Sequence, residues 1–419
     1  MPSSKKQTPE QGGVKKPRKW RRRALIAGGA VAVAVPAMWI AIHEVPGFGP
    51  FVADTARAVL GQGVVAWAED VSYDLQDRVN RLRYKDAKPT TFWDAPSGAP
   101  VAKPAAPTVA APTPSGSASA APAASAAAAP DFPPPPYTAP YPSVASDGEG
   151  QWVPIDDGSG APPVMYKSLV HPDPKRAFAA VAVVALDLRR VSLHMMPGTQ
   201  EPANDKIPTS KRPGLIPKDA DDSLVAAFNG GFKAIHGHYG MMFDGDVYVA
   251  PRDIGCTIAI YKDDSIKIRT WPKLKDEQES MLGWRQTPPC LVEDGKTNSA
   301  LDVEYNKNWG ATVSGETVIR RSAIGIDASG HTLFYGIGEA VTAQALSRAM
   351  KAVGVDSAAQ LDVNYSYPRF LFYPPVAKGE TPRVGSALIP KIDYTKDQYV
   401  GRPEPRDFFY VTRRSSPKS

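Results

Sequence analysis

Hydrophobic and polar positions divide the chain into four stretches with different periods. Ala24 to Ile42 carries no charge at all, a run within the about 17–25 residues that cross a bilayer as a helix. From 51 to 84 the apolar residues Val64, Trp67, Val71, Leu75, Val79 and Leu82 recur in steps of three and four, with acids and bases between them. That spacing predicts a helix, ended by Pro89. Its narrow stripe suits a short coiled coil, or a stalk helix lying on the membrane or on the rest of the protein. From 95 to 146 Ala, Pro, Ser and Thr displace the aliphatic residues, so the stretch reads as a disordered linker. At about 3.1 Å per residue such a chain reaches on the order of 100 Å, and its expected role is distance from the membrane.

Ordinary globular patterning returns from 147 to 419, roughly 270 residues and enough for one large domain. Apolar or alternating runs predict strands in FAAVAVVALDL, SLVAAFNGGF, TIAIYK, SIKIRTW, AIGIDASGHTLFYGIG and RDFFYVTRR. One helix is predicted after Thr342 as N-cap, with Leu346, Ala349, Met350 and Val353 on one face and Gly354 as C′ residue. The expected class is α+β, a strand-rich mixed-sheet globular domain behind a transmembrane helix and a Pro/Ala linker.

The net charge of +6 changes this picture only in location. Residues 1–23 hold nine Lys and Arg against one acid, Glu10, so the remainder is close to neutral and a nucleic-acid partner is excluded. The basic cluster directly before Ala24 places the N-terminus in the cytoplasm and the C-terminal domain in the periplasm or outside the cell. A single-pass anchor through Ala24–Ile42 is the membrane reading. A cleaved signal, of twin-arginine type at Arg21–Arg23, is the competing one, but no small-x-small site follows the apolar core. The two cysteines, Cys256 and Cys290, have no CxxC spacing; export to an oxidising compartment predicts a disulfide between them. Oligomeric state is not legible.

Common catalytic signatures are missing: no GxSxG, P-loop, HExxH or EF-hand loop, and no motif that calls for a cofactor. His236 and His238, two apart, would share a face on a strand. They read as metal ligands, as substrate contacts or as plain loop residues, and no metal site is assigned.

Four segments in order carry the function. They are Phe228-Asn229-Gly230-Gly231-Phe232; Pro289-Cys290-Leu291-Val292-Glu293-Asp294-Gly295; Arg321-Ser322-Ala323-Ile324-Gly325-Ile326-Asp327 with Gly330; and, after the helix, Leu361-Asp362. Over about 175–375 this resembles the phosphodiester glycosidase family, which carries NGGFF, P-x-L-V-x-D-G, R-[TS]-A-x-G-x-D-x-x-G and L-D-G-G-G-S. The resemblance implies a hydrolase of sugar-1-phosphodiesters or surface glycans, with a glycan or sugar phosphate as partner.

On that reading Asn229 positions the substrate, and Gly230 and Gly231 open a backbone nest for phosphate. Arg321 offers a fork of donors to the phosphate. Asp362, at the end of a buried strand, acts as acid or nucleophile. His236, His238 and Ser366 are further substrate contacts. Without the resemblance, Arg321 and Asp362 read equally as a structural ion pair. Lys233 stands where the family has its second Phe, and Val363-Asn364-Tyr365 stand where it has three glycines. Hence two other readings: a catalytically inactive glycan- or envelope-binding module on the same fold, and a structural protein whose stalk and spacer matter most.

Overall fold

Alternate residues of the longest strands belong to different cores, and that sets the architecture. A computed structural model describes residues 75–84, 87–94, 132–302, 307–309 and 318–415. The chain divides into two compact units, Met1–Val65 and Ala66–Ser419, and the described residues all belong to the second. The basic tail, the predicted span Ala24–Ile42 and the helix from 51 to 74 lie outside them. Among the described residues, no helix is long and apolar enough to cross a membrane.

Strands β1 to β18, numbered along the chain, form three sheets. The largest runs β1 (Val153–Pro154), β2 (Met165–Val170), β3 (Val181–Asp187), β14 (Thr332–Val341), β13 (Ile319–Ile326), β15 (Ser357–Val363), β11 (Val292–Glu293) and β12 (Lys296–Thr297). The second runs β7 (Asp246–Val249), β6 (Met241–Phe243), β10 (Met281–Thr287), β8 (Cys256–Tyr261) and β9 (Ile266–Thr270). The third runs β17 (Ser386–Ala387), β16 (Phe370–Phe372), β5 (Leu224–Asn229), β18 (Phe408–Arg413) and β4 (Val191–Met196).

The sheets are antiparallel throughout, not mixed as the sequence suggested. Neighbours such as β13 and β14 are joined by the tight Asp327–Gly330 turn, and short connections return a strand antiparallel. In the large sheet Ala182, Val184, Ile324, Tyr335 and Leu361 face a core shared with Phe228, Ile258 and Phe409 from the other sheets. Val181, Val183, Ala323, Phe334 and Ala358 face the helix Ala343–Ala352 through Leu346, Ala349 and Met350. A strand buried on both faces is apolar or has its polar groups paired, which is why β3 reads as an apolar run and why Arg320, Arg321 and Ser322 of β13 are all hydrogen-bonded.

The helix ends as its sequence predicts. Thr342 Oγ1 accepts from the N–H of Ala345 at 3.0 Å. Gly354 has φ +92°, and the N–H groups of Gly354 and Val355 close on the carbonyls of Lys351 and Met350.

The packed body begins well before residue 147. Residues 75–83 are helical, and Asp77 on that segment receives Arg176 Nε and Nη2, each at 2.8 Å. Phe92 and Trp93 pack on the first core, and Thr90 N–H donates to Ala177 C=O at 3.3 Å. On the far side of the Ala/Pro stretch, Phe132 and Tyr137 pack on the second core, and Tyr137 Oη donates to Leu169 C=O at 2.9 Å. The predicted linker 95–146 is therefore ordered from 132 onward, because its aromatic residues supply the apolar area that Ala and Pro lack.

Cys256, opening β8, is bonded to Cys290, before β11, with Cα atoms 4.7 Å apart and 34 positions between them in sequence. The bond ties the second sheet to the large one. Reduction is expected to lower stability by about 4 kcal/mol on the chain-entropy account of such a loop. Chemical unfolding with and without reductant checks this, and equal midpoints would refute it.

Candidate functional site

The elbow after β5 is built by the strand that follows it in space, not in sequence. β18 lies between β5 and β4, in register Phe408 with Asn229, so Arg406 and Asp407 enter beside Gly230 and Gly231. Asp407 C=O accepts from Gly230 N–H at 3.0 Å, and Asp407 Oδ2 accepts from Gly231 N–H at 2.9 Å. The nest that the sequence reading left for phosphate thus holds the protein's own carboxylate. The two glycines are needed for close approach, not for positive φ. A Cβ on Gly230 would overlap Asp407 Oδ2, and one on Gly231 would lie 2.8 Å from Arg285 Cζ.

Asp407 is held in turn by Arg285, at 2.9 Å from Nε to Oδ2 and 3.2 Å from Nη2 to Oδ1. Both side chains are wholly buried. Arg285 also donates to the carbonyls of Tyr239 and Gln286, at 3.1 and 2.9 Å. This satisfaction of donors is what makes a buried ion pair tolerable.

Asp362 closes β15 directly against the same elbow. Its N–H donates to Gly230 C=O at 3.1 Å, and its own C=O accepts from Ser322 Oγ at 3.0 Å. Its carboxylate pairs with Arg406 Nη2, and Oδ1 accepts from Val363 N–H at 2.9 Å. Burial pushes this carboxyl up to about 6, against the pull of Arg406. Arg406 donates to Gly231 C=O at 2.9 Å, and Tyr367 lies 3.8 Å from its guanidinium carbon. Tyr367 Oη is fixed by Glu404, to which it donates at 2.8 Å. Among the described residues, Arg406 Nε has no hydrogen-bond partner.

The other residues singled out by sequence take different places. Asn229 is fully buried: Nδ2 donates to Ser322 Oγ at 2.9 Å, and Oδ1 accepts from Tyr335 Oη and Arg369 N–H at 2.8 and 3.1 Å. It staples β5 to the large sheet. Arg321 turns toward the helix side of that sheet, donating to Val341 C=O at 3.1 Å, to Trp309 C=O at 2.6 Å and to Gln360 Oε1 at 3.0 Å. Burial lowers its guanidinium to about 10. The partner of Asp362 is Arg406, not Arg321. A bulge between β13 and β15 at Arg321–Ala323 accompanies this separation of Arg321 from the Asp362 side chain.

His236 and His238 sit at the exposed turn around 234–237, not on a strand, so the shared-face argument fails for them. Among the described residues, no three His, Cys, Asp or Glu are grouped to hold a metal. Ser366 Oγ donates to Asn364 Oδ1 at 3.1 Å. Of the three positions where the family has glycine, only Asn364 takes positive φ, at +138°. Its side chain caps the turn by accepting from the N–H groups of Ser366 and Tyr367, both at 2.9 Å. Tyr365 is 37% exposed and stacks beside Arg320.

Sequence reasoning missed Arg406 and Asp407. The available signal was a charged pair directly before FFYV, the most apolar run near the C-terminus.

Comparison with known proteins gives one family and no curated relative. Residues 222–363 match the phosphodiester glycosidase family, a span inside the 175–375 read from the motifs. No curated protein matches the chain. Among solved structures it is similar to the catalytic domain of zebrafish N-acetylglucosamine-1-phosphodiester alpha-N-acetylglucosaminidase, auto-inhibited by pro-peptide. The identity is 14% over 63% of this chain and 87% of that one, with a TM-score of 0.38. It is also similar to a hypothetical protein from Synechocystis, at 11% over 63% of this chain and 61% of that one, with a TM-score of 0.29. Likenesses this distant carry no argument about the site. The elbow Asn229–Gly231 and the strand-end Asp362 both fall within the matched span, and it is residues 222–363 that match the phosphodiester glycosidase family.

Proposed function

We propose that the chain is a hydrolase of sugar-1-phosphodiesters, anchored by Ala24–Ile42 with its C-terminal domain on the outer side of the membrane. The observation that carries the chemistry is the Asp362–Arg406 pair, set against Gly230 and Gly231 in the stretch that matches the family. Asp362 supplies the carboxylate at the anomeric carbon. Arg406 meets the phosphate, with Nε as a donor not yet engaged among the described residues. The C1–O bond breaks, the phosphomonoester departs with the bonding pair, and water supplies the new hydroxyl on the sugar while its other proton passes to the phosphomonoester or to solvent. Tyr367 and Glu404 orient Arg406; Asn229 and Asp407 hold the elbow that receives the pair. Arg321 has no part in this chemistry, because its donors serve Trp309, Val341 and Gln360.

The test is an assay of the full chain in detergent against a panel of hexose-1-phosphodiesters, followed across pH. Paired with Arg406, the acting form of Asp362 is the carboxylate, and its raised value near 6 sets where it appears. The group is neutral below that value and charged above it. The expected kcat/KM therefore rises through about pH 6 and levels off above it. A rate that falls through the same range would make Asp362 the proton donor instead. No turnover of any member of the panel would overturn the enzyme reading.

A further inference from the structure

The loop after Asp362 puts an aromatic ring where the family has none. Val363, Asn364 and Tyr365 stand at the three glycine positions, and both ends of the loop face Arg406. Asp362 pairs with that guanidinium, and the Tyr367 ring centroid lies 3.8 Å from its carbon. Tyr365 lies between these two residues of the proposed site, and its side chain is 37% exposed. Among the described residues the only other aromatic side chain as open is Tyr84, which rests on Phe178.

The loop is stiff. Asn364 Oδ1 accepts from the N–H groups of Ser366 and Tyr367, both at 2.9 Å, and Asn364 N–H donates to Arg320 C=O at 3.1 Å. Arg320 returns a hydrogen bond from Nη1 to Tyr365 C=O, and its guanidinium carbon lies 5.7 Å from the Tyr365 ring centroid. Arg320 is fixed in turn by Glu339, Nε to Oε1 at 2.8 Å. A tyrosine held in place by its neighbours offers a large contact area and loses little freedom when a ligand settles on it.

We propose that Tyr365 is a stacking platform for a sugar ring of the substrate, beside the anomeric carbon that Asp362 faces. The faces of an aromatic ring carry negative potential, and the C–H groups along one face of a pyranose are polarised to meet it. Arg406 then reads the phosphate and Tyr365 reads the glycan half of the diester. A glycine at this position offers no such surface, so the contact belongs to this chain and not to the family motif. The inference rests on the Asp362–Arg406 reading of the site, and the experiment separates the two.

The full chain in detergent and its variants Tyr365→Ala, Tyr365→Phe and Tyr365→Trp are assayed on the hexose-1-phosphodiester panel. Each is also titrated calorimetrically with glucose, galactose and mannose 1-phosphates and, separately, with inorganic phosphate. Tyr365→Ala should raise KM and the hexose 1-phosphate Kd by about tenfold, while kcat stays within about twofold. Binding of inorganic phosphate should not change, and the Phe and Trp variants should behave as the parent does. A Tyr365→Ala protein that binds hexose 1-phosphates like the parent would overturn the proposal. So would an equal loss for inorganic phosphate, which would mean that the loop acts only through Arg406, or a failure of Phe and Trp to restore binding. A parent that binds a hexose 1-phosphate in a Tyr365-dependent way but cleaves nothing would support the platform and refute the hydrolase. A parent that neither binds nor cleaves any probe would overturn both.

Discussion

Asp362→Asn will slow turnover of a cleaved sugar-1-phosphodiester by about 10²–10⁴-fold, the usual loss when a catalytic carboxyl is removed. The amide has the same shape but cannot ionise. The same change will also lower the melting temperature, because it leaves Arg406 buried with its nearest counter-charge gone. Stranding one member of a buried pair costs about 3–5 kcal/mol. Loss of activity alone would therefore be ambiguous. The double variant Asp362→Asn with Arg406→Met separates the causes, since it removes the stranded charge and fills its volume. Stability should largely return while turnover stays lost. A double variant that recovers both would make the pair structural and refute the assigned chemistry. A single variant that melts and turns over like the parent would refute both roles at once.

The second large effect is expected at Asp407→Asn, by about 3–5 kcal/mol in unfolding free energy. Asp407 neutralises Arg285 where neither side chain touches solvent, and it also accepts from Gly231 N–H. The asparagine amide can replace the second contact but not the first. Urea unfolding of the purified protein reads this as a lower midpoint with an unchanged slope. A midpoint within error of the parent would mean that water or the carbonyls of Tyr239 and Gln286 suffice for the charge. Arg285→Met with Asp407→Asn should regain part of the loss, as removing both partners usually does.

Much of the scaffold was legible because its signals are local. β3, β5 and β18 fall inside the apolar runs that predicted them, β8 begins one residue before its run, and the helix was marked at both ends by Thr342 and Gly354. The site was half legible. Asp362 stands at a strand end as read, but nothing near it in sequence names Arg406, which comes to it only because β18 is inserted between β5 and β4. The elbow was misread for a related reason. Two glycines are compatible with a phosphate nest or with a close-packed carboxylate, and the choice depends on Asp407, 176 positions away. Arg321 illustrates the limit of motif transfer. Its place in the motif says that it is buried in β13, and only the surrounding carbonyls show where its donors go.

The seating of both flanks of the Ala/Pro stretch has a consequence for how the molecule comes apart. Phe92 and Trp93 on one side, and Phe132 and Tyr137 on the other, hold to the cores of one body. A protease cutting anywhere between them leaves a nicked, two-piece protein whose fragments stay associated by packing and by the Asp77–Arg176 pair. Both ends of the stretch are thus fixed to one body, so its length does not set how far that body lies from residues 75–94. Release of the rest of the body from residues 75–94 requires dissociation of the fragments as well as cleavage.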